Sequence, residues 1–210
     1  IGEGTDERNF LYISLDRSLS FIPLIDKFEA TYRFLGGNSE TLWFFSNLDA
    51  PNGKILTLNI SDKKFQWKEL IGEKTFPISS ASIAGDKLII NYLKDTLSQV
   101  EFYDLQGKFL KELPYENIGT LSGFNGRFDS NTTYFEFSNF TSPQRIYELD
   151  LKSLEYSLYW ETTIKNLNIN NYVSKLDFYQ SKDGTKIPIH LAHTKDLEID
   201  VVNPSSDSNV

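Results

Sequence analysis

The sequence has no cysteine and no methionine, only two histidines, and no long apolar or basic run. The lack of cysteine excludes disulfides and thiolate metal sites, but it does not settle the compartment. No apolar stretch approaches the ~20 residues that a membrane-spanning helix needs. The net charge of −8, with no basic patch, argues against nucleic acid or an anionic membrane as a partner. We expect a soluble protein, located in the cytoplasm rather than in the periplasm or outside the cell.

Sequence motifs of catalysis are missing as well. No Gly-x-Ser-x-Gly occurs, and Gly119-Thr-Leu-Ser-Gly123 places its serine one position late, in a predicted strand. There is no phosphate-binding glycine-rich loop, zincin motif or EF-hand. His190 and His193 are three positions apart on a predicted strand, so they point to opposite faces and cannot share a metal ion. The residues alone predict a non-catalytic β scaffold with no cofactor and no metal site.

What the sequence does contain is a strand-like segment that occurs four times, at spacings of 45, 45 and 46 residues. The four copies are Phe10-Leu-Tyr-Ile-Ser14-Leu15, Ile55-Leu-Thr-Leu-Asn59-Ile60, Val100-Glu-Phe-Tyr-Asp104-Leu105 and Ile146-Tyr-Glu-Leu-Asp150-Leu151. This period, with β-type content, is typical of propeller blades, each a sheet that cannot bury both faces alone. The polar residue inside each copy is interpreted as a bond to the adjacent turn backbone rather than as a functional site.

Two further sets of strands follow the same period. Residues 42–46, 87–92 and 133–137 are dense in apolar side chains and are predicted to be covered on both faces by neighbouring blades. An outer set is predicted at residues 66–71, 108–113 and 156–162. After residue 163 the repeat stops, and a polar connector leads to a predicted hairpin of residues 176–181 and 186–193. Asp183 and Gly184 are interpreted as shaping its turn.

Several segments, in this order, carry a resemblance to a known family. They are Leu24-Ile-Asp-Lys-Phe28, Ser46-Asn-Leu-Asp-Ala-Pro-Asn52, Tyr103-Asp-Leu-Gln-Gly-Lys108, Phe137-Ser-Asn-Phe-Thr-Ser-Pro143 and Ser181-Lys-Asp-Gly-Thr-Lys-Ile-Pro188. With them the chain resembles the prolyl oligopeptidases, serine peptidases in which a seven-bladed propeller caps an α/β-hydrolase domain. The resemblance covers about residues 4–195.

The resemblance implies an all-β chain that is a partial β-propeller. Residues 1–170 would be the C-terminal half of the seven-bladed propeller, with about three to four four-stranded antiparallel blades. Residues 171–195 would be the first hairpin of the α/β-hydrolase domain, and residues 196–210 a disordered tail. Because the chain contains no methionine and opens on Ile1, we expect an internal piece of a longer protein. The missing blades and the hydrolase domain would then belong to the parent chain. The family's catalytic serine, aspartate and histidine would lie beyond residue 210, so this chain by itself is predicted to be inactive.

The resemblance also implies a substrate and a role. The parent would cleave short peptides after proline, and the propeller would gate their access. The segment Arg8-Asn-Phe-Leu-Tyr-Ile-Ser14 corresponds to one that lines the substrate pocket, and the family often carries arginine where this chain has Phe10. Phe10 and Ser14 are therefore candidate substrate-binding residues, with packing in the blade core as the alternative. Two other functions stay open: a stand-alone, non-catalytic propeller module that binds a ligand, and a fragment of a sister oligopeptidase that prefers basic residues.

Overall fold

The structure is a computed structural model that describes residues 2–14, 20–61, 65–115 and 118–197. The described residues form sixteen strands and one short 3₁₀ turn, Ile169–Asn171. In chain order the strands are β1 Leu11–Ile13, β2 Ile22–Ile25, β3 Tyr32–Gly37, β4 Thr41–Ser46, β5 Lys54–Asn59, β6 Gln66–Ile71, β7 Ile78–Ala84, β8 Lys87–Lys94, β9 Leu97–Asp104, β10 Phe109–Glu112, β11 Thr120–Gly123, β12 Thr132–Ser138, β13 Arg145–Asp150, β14 Tyr156–Glu161, β15 Tyr172–Gln180 and β16 Lys186–Thr194. No helix in this part of the chain has the length and apolar composition to cross a bilayer.

The strands form antiparallel sheets in which each strand pairs with its neighbour in sequence. We name β3–β6 the first blade, β7–β10 the second blade and β11–β14 the third blade, and we name the pair β1–β2 the half-blade. The signature segments are β5, β9 and β13, the third strand of each blade, and β1 in the half-blade. The predicted all-β partial propeller is confirmed, with three complete blades.

The polar residue of the signature strand closes the turn that follows it. Asp104 Oδ1 accepts hydrogen bonds from the backbone N–H groups of Gln106 (3.0 Å) and Lys108 (2.8 Å). Asp150 Oδ1 does the same for Lys152 (3.0 Å) and Ser153 (2.7 Å). Asn59 accepts in the same way from Ser61 N–H (2.9 Å). The structural interpretation is confirmed for these three positions, because a short side chain here satisfies turn N–H groups that no strand can pair.

Blades pack face to face through two separate apolar clusters. The cluster between the first and second blades includes Trp43, Ile55, Leu88, Ile90 and Tyr92. The cluster between the second and third blades includes Ile89, Phe102, Leu121, Phe135 and Leu149. Neighbouring residues of β8 thus serve different interfaces, since side chains alternate across a strand. Each fully buried apolar side chain stabilises the fold by about 1.5–3 kcal/mol.

One prediction about these strands is wrong. Residues 133–137 were expected to be covered on both faces, but β12 is buried on one face only. Thr133, Phe135 and Phe137 are buried, and the two phenylalanines belong to the cluster shared with the second blade, whereas Tyr134 is 42% exposed. The reason is that the described residues contain no further four-stranded blade after the third, so no blade covers its outer face.

The predicted hairpin is present and longer than expected, because β15 begins at Tyr172. Its turn has the expected chemistry: Asp183 Oδ1 accepts from Thr185 N–H (3.0 Å), and Gly184 has φ +87°. Gly184 suits this left-handed conformation since it has no Cβ. The assignment of this hairpin to a hydrolase domain, and the boundaries at residues 170 and 195, stay predictions. Most of the predicted tail, residues 198–210, lies outside the described residues.

Candidate functional site

One end of the blades carries the hairpin β15–β16. His190 Nε2 lies 2.6 Å from Thr96 Oγ1 in the β8–β9 turn, and the His190 ring lies 5.8 Å from the ring of Phe140 in the β12–β13 loop. The corresponding turn of the first blade, residues 47–53, lies at the same end, because strands alternate in direction. We call this end the hairpin face. On this face the hairpin β15–β16 packs against the loops of the second and third blades.

A cleft of about 610 Å³ opens on the hairpin face. It lies where the first strands of the first and second blades, β3 and β7, approach each other. Its walls come from the segment before the half-blade, the start of β3, the β4–β5 turn and the start of β7. The start of β7 is tied to that turn, since Ile78 N–H donates to Asn52 O (2.8 Å). Such a concave surface with several convergent polar groups is the usual form of a ligand site.

Asn9 fixes one wall of the cleft to the first blade. Its side-chain oxygen accepts from Tyr32 N–H (2.7 Å), and its Nδ2 donates to Tyr32 O (3.0 Å). Asn47 secures the neighbouring residue, because its Oδ1 accepts from Thr31 N–H (2.8 Å). These amides pair with the backbone at the start of β3 as a further strand would, so the wall is held without another sheet.

Arg33 and Phe45 lie directly opposite each other on β3 and β4. The Arg33 guanidinium carbon is 4.1 Å from the centre of the Phe45 ring, in cation–π geometry. Phe45 is 7% exposed, while Arg33 is exposed. The cleft therefore contains a cation held against a buried aromatic platform.

A second, smaller cleft of about 380 Å³ lies beside it. Its polar side chains bond to one another and stabilise the fold. Lys74 Nζ contacts Glu101 Oε2 (2.6 Å) and Tyr103 Oη (2.8 Å), and the Tyr103 hydroxyl also donates to the Glu101 carboxylate. The Lys74 ammonium is 5.0 Å from the centre of the Tyr92 ring. Burial raises the pKa of both Tyr92 and Tyr103 above the ordinary tyrosine value. This network braces the connection before β7 against the second blade.

The predicted substrate-binding residues do not line the main cleft. Phe10 is half-buried and packs its ring 5.2 Å from that of Phe28, and Ser14 is half-buried just after β1. The Phe10 geometry is that of blade packing, the alternative stated for it. Substrate contact at Phe10 and Ser14 stays a prediction.

Sequence reasoning missed Asn9 and Arg33. Asn9 stands next to Phe10 in the segment that was singled out, so local sequence could have included it. Nothing in the sequence marks Arg33, because its role depends on the pairing of β3 with β4 and on the packing of Phe45.

Both histidines make hydrogen-bonding contacts with other residues of the chain. His190 bonds to Thr96, and His193 Nδ1 lies 2.8 Å from Thr194 O. No group of three or more potential metal ligands occurs within residues 2–14, 20–61, 65–115 and 118–197. Backbone hydrogen bonding, chiefly from Thr185 N–H, lowers the pKa of Asp183, as expected for a turn carboxylate.

Comparison with known proteins places the chain in a family. A sequence model described as the prolyl oligopeptidase N-terminal β-propeller domain matches residues 1–162. The chain belongs to this family. Its β1–β14 blades are therefore part of a prolyl oligopeptidase propeller, and the resemblance drawn from the sequence is confirmed.

Individual prolyl oligopeptidase relatives agree with this assignment. The chain is 33% identical over 199 residues to a prolyl endopeptidase of Elizabethkingia meningoseptica, and 31% identical over 205 residues to one of Dictyostelium discoideum. These alignments cover 94% and 91% of this chain but only 28% and 27% of the relatives. A solved prolyl endopeptidase structure matches with a TM-score of 0.80 at 27% identity, over 91% of this chain and 28% of that one. The chain thus spans little more than a quarter of the length of the proteins it resembles.

Proposed function

We propose that this chain is the propeller part of a serine peptidase that cleaves short peptides after proline, and that its blades limit which peptides reach the active site. The family assignment and the prolyl endopeptidase relatives support the reaction class. The observation that carries the role is the position of the cleft. It opens at the same end of the blades as the hairpin, which precedes the hydrolase domain in this proposal.

The chain by itself has no peptidase activity in this proposal. Covalent peptide hydrolysis by serine needs a nucleophile beside a base, with a third group that orients the base. The sequence contains no Gly-x-Ser-x-Gly elbow, and both histidines make contacts that belong to the hairpin and its docking.

A peptidase assay tests the proposed inactivity of the chain by itself. The purified chain is incubated with a fluorogenic peptide that releases its fluorophore after proline, and a full-length prolyl endopeptidase serves as the positive control. We expect no release above buffer from the chain. Turnover that survives repeated purification and a serine-peptidase-free host would contradict the proposal.

The two other functions have less support. Matches to oligopeptidase B of Leishmania major, at 18% identity and a TM-score of 0.71, show likeness of fold alone and do not favour basic specificity. A stand-alone module would need a closed ring, whereas the outer face of the third blade has no neighbour among the described residues. A serine elbow encoded downstream would separate the peptidase from the stand-alone module.

A further inference from the structure

Arg33 differs from the other arginines that the structure describes. Arg8, Arg127 and Arg145 each form an ion pair with a carboxylate, of Asp6, Asp129 and Glu161 respectively. Arg33 forms no such pair within the described part of the chain, although the chain has an excess of acidic residues.

The contact with Phe45 positions the Arg33 guanidinium while leaving it exposed in the cleft. The guanidinium carbon lies 4.1 Å from the centre of the Phe45 ring, and this cation–π contact does not use the N–H groups as hydrogen-bond donors to an oxygen. The ring in turn rests against Gly53, which has φ +85°; a Cβ there would come within 2.3 Å of the Phe45 ring. Gly53 thus keeps the space that the platform occupies, and the platform limits the freedom that Arg33 would lose on binding.

The chemistry of the cleft selects a class of ligand. A guanidinium fork matches the two oxygens of a carboxylate, and charge-assisted bonds of this kind are the strong ones. Pro51, Pro77 and Ile78 supply apolar walls for the body of a peptide. Glu7 also lines the cleft and forms no ion pair with Arg33. Its charge repels any anion, and it repels a doubly charged phosphate more strongly than a singly charged carboxylate.

We propose that Arg33 binds a carboxylate of a peptide substrate in this cleft, either the C-terminal carboxylate or an acidic side chain. The inference rests on the proposed function, because it treats the cleft as a place where peptides pass on their way to an active site. Arg33 would then help to determine which peptides are retained on the hairpin face.

Binding of labelled peptides to the chain tests this inference. Three pentapeptides with an N-terminal fluorophore are compared: one with a proline and a free C-terminus, the same peptide amidated, and an amidated peptide with one glutamate. Fluorescence anisotropy is measured with dilute wild-type chain, with Arg33→Gln and with Arg33→Lys. Lys68→Gln is the matched control, since Lys68 is an exposed cation on β6 of the same blade and lies outside the cleft. Circular dichroism verifies that each variant is folded.

We expect Arg33→Gln to weaken binding of a carboxylate-bearing peptide by about tenfold, the effect of losing a charge-assisted bond. Arg33→Lys should restore part of the affinity, and Lys68→Gln should leave it unchanged. Loss on amidation alone identifies the C-terminal carboxylate as the ligand, and recovery with glutamate identifies an acidic side chain.

Two other results would overturn the inference and are distinguishable. If all three peptides bind equally and Arg33→Gln has no effect, the assignment to Arg33 is wrong while peptide binding by the blades stands. If no peptide binds the wild-type chain, both this inference and the role of the blades in handling peptides are wrong.

Discussion

The strands β8 and β12 occupy the same position in neighbouring blades and are buried in different ways. In β8 the consecutive residues Leu88, Ile89 and Ile90 are each at most 2% exposed, because a blade lies on either side. In β12 Phe135 is 1% exposed, whereas its neighbour Tyr134 is 42% exposed. The difference shows that a blade is complete only when both of its faces are covered.

The largest expected effect is the difference in unfolding free energy between substitutions on the two faces of β12. Phe135 stacks between Phe124 (4.9 Å) and Tyr147 (5.1 Å), so Phe135→Ala should cost about 3–5 kcal/mol of unfolding free energy through the cavity it leaves. Tyr134→Ala, on the outer face, should cost less than about 1 kcal/mol. Urea denaturation followed by tryptophan fluorescence measures both. Equal losses would mean that both faces of the third blade are buried in solution.

The same experiment on β8 should give a symmetrical result. Ile89→Ala and Ile90→Ala each remove a side chain from a different interface, so each should cost about 2–5 kcal/mol. A loss at one position and tolerance at its neighbour would show that the second blade is not enclosed on both sides.

The Lys74–Glu101 pair should contribute more to the unfolding free energy than the more exposed Arg145–Glu161 pair. Glu101 is 7% exposed and bonds to Lys74 and Tyr103, so Glu101→Ala should lower the unfolding free energy by about 2 kcal/mol. The loss is smaller than for a fully buried ion pair because Lys74 is partly exposed to solvent. Glu161→Ala, which breaks the more exposed pair with Arg145, should cost about 0.5 kcal/mol. Chemical denaturation at low and high salt distinguishes the two, and the Glu161 effect should shrink with salt.

The smallest predicted effect is a pH dependence of the unfolding free energy that arises from buried tyrosines. Burial raises the pKa of Tyr92 above the unfolded value of about 10, so the folded state favours the neutral phenol. This stabilisation is complete below pH 10 and is lost as the pH rises further, by up to about 1.4 kcal/mol per pH unit for each such group. Tyr92→Phe should therefore make the alkaline decline of stability less steep. A decline that is unchanged by the substitution would assign it to other groups.

Sequence predicted the second, third and fourth strands of the blades well, because apolar segments and a signature segment with a short polar residue, such as Asp104 or Asp150, repeat at one period. It did not single out β3 and β7 as strands. Ile78–Ala84 consists mostly of small residues, and Tyr32–Gly37 ends in two glycines, so neither has a strong β pattern. These strands form because the adjacent strand provides a template.

The candidate site was beyond sequence reasoning for a similar reason. Arg33 faces Phe45 only after β3 has paired with β4, and Thr96 meets His190 across 94 positions in the sequence. The segment around Phe10 was located by resemblance, yet the residue in it that lines the cleft is Asn9. Pairing and packing between distant segments determine these contacts, and no local pattern encodes them.

The central claim is that the chain is an open arc of blades whose outer face needs a partner. Besides Tyr134, that face carries Tyr159, which is 64% exposed and lies 5.0 Å from the Tyr134 ring. Exposed apolar surface of this kind usually drives association. Sedimentation velocity over a range of concentrations tests the claim directly. The account predicts association that increases with concentration and decreases in Tyr159→Glu, whereas a stable monomer at every concentration would contradict it.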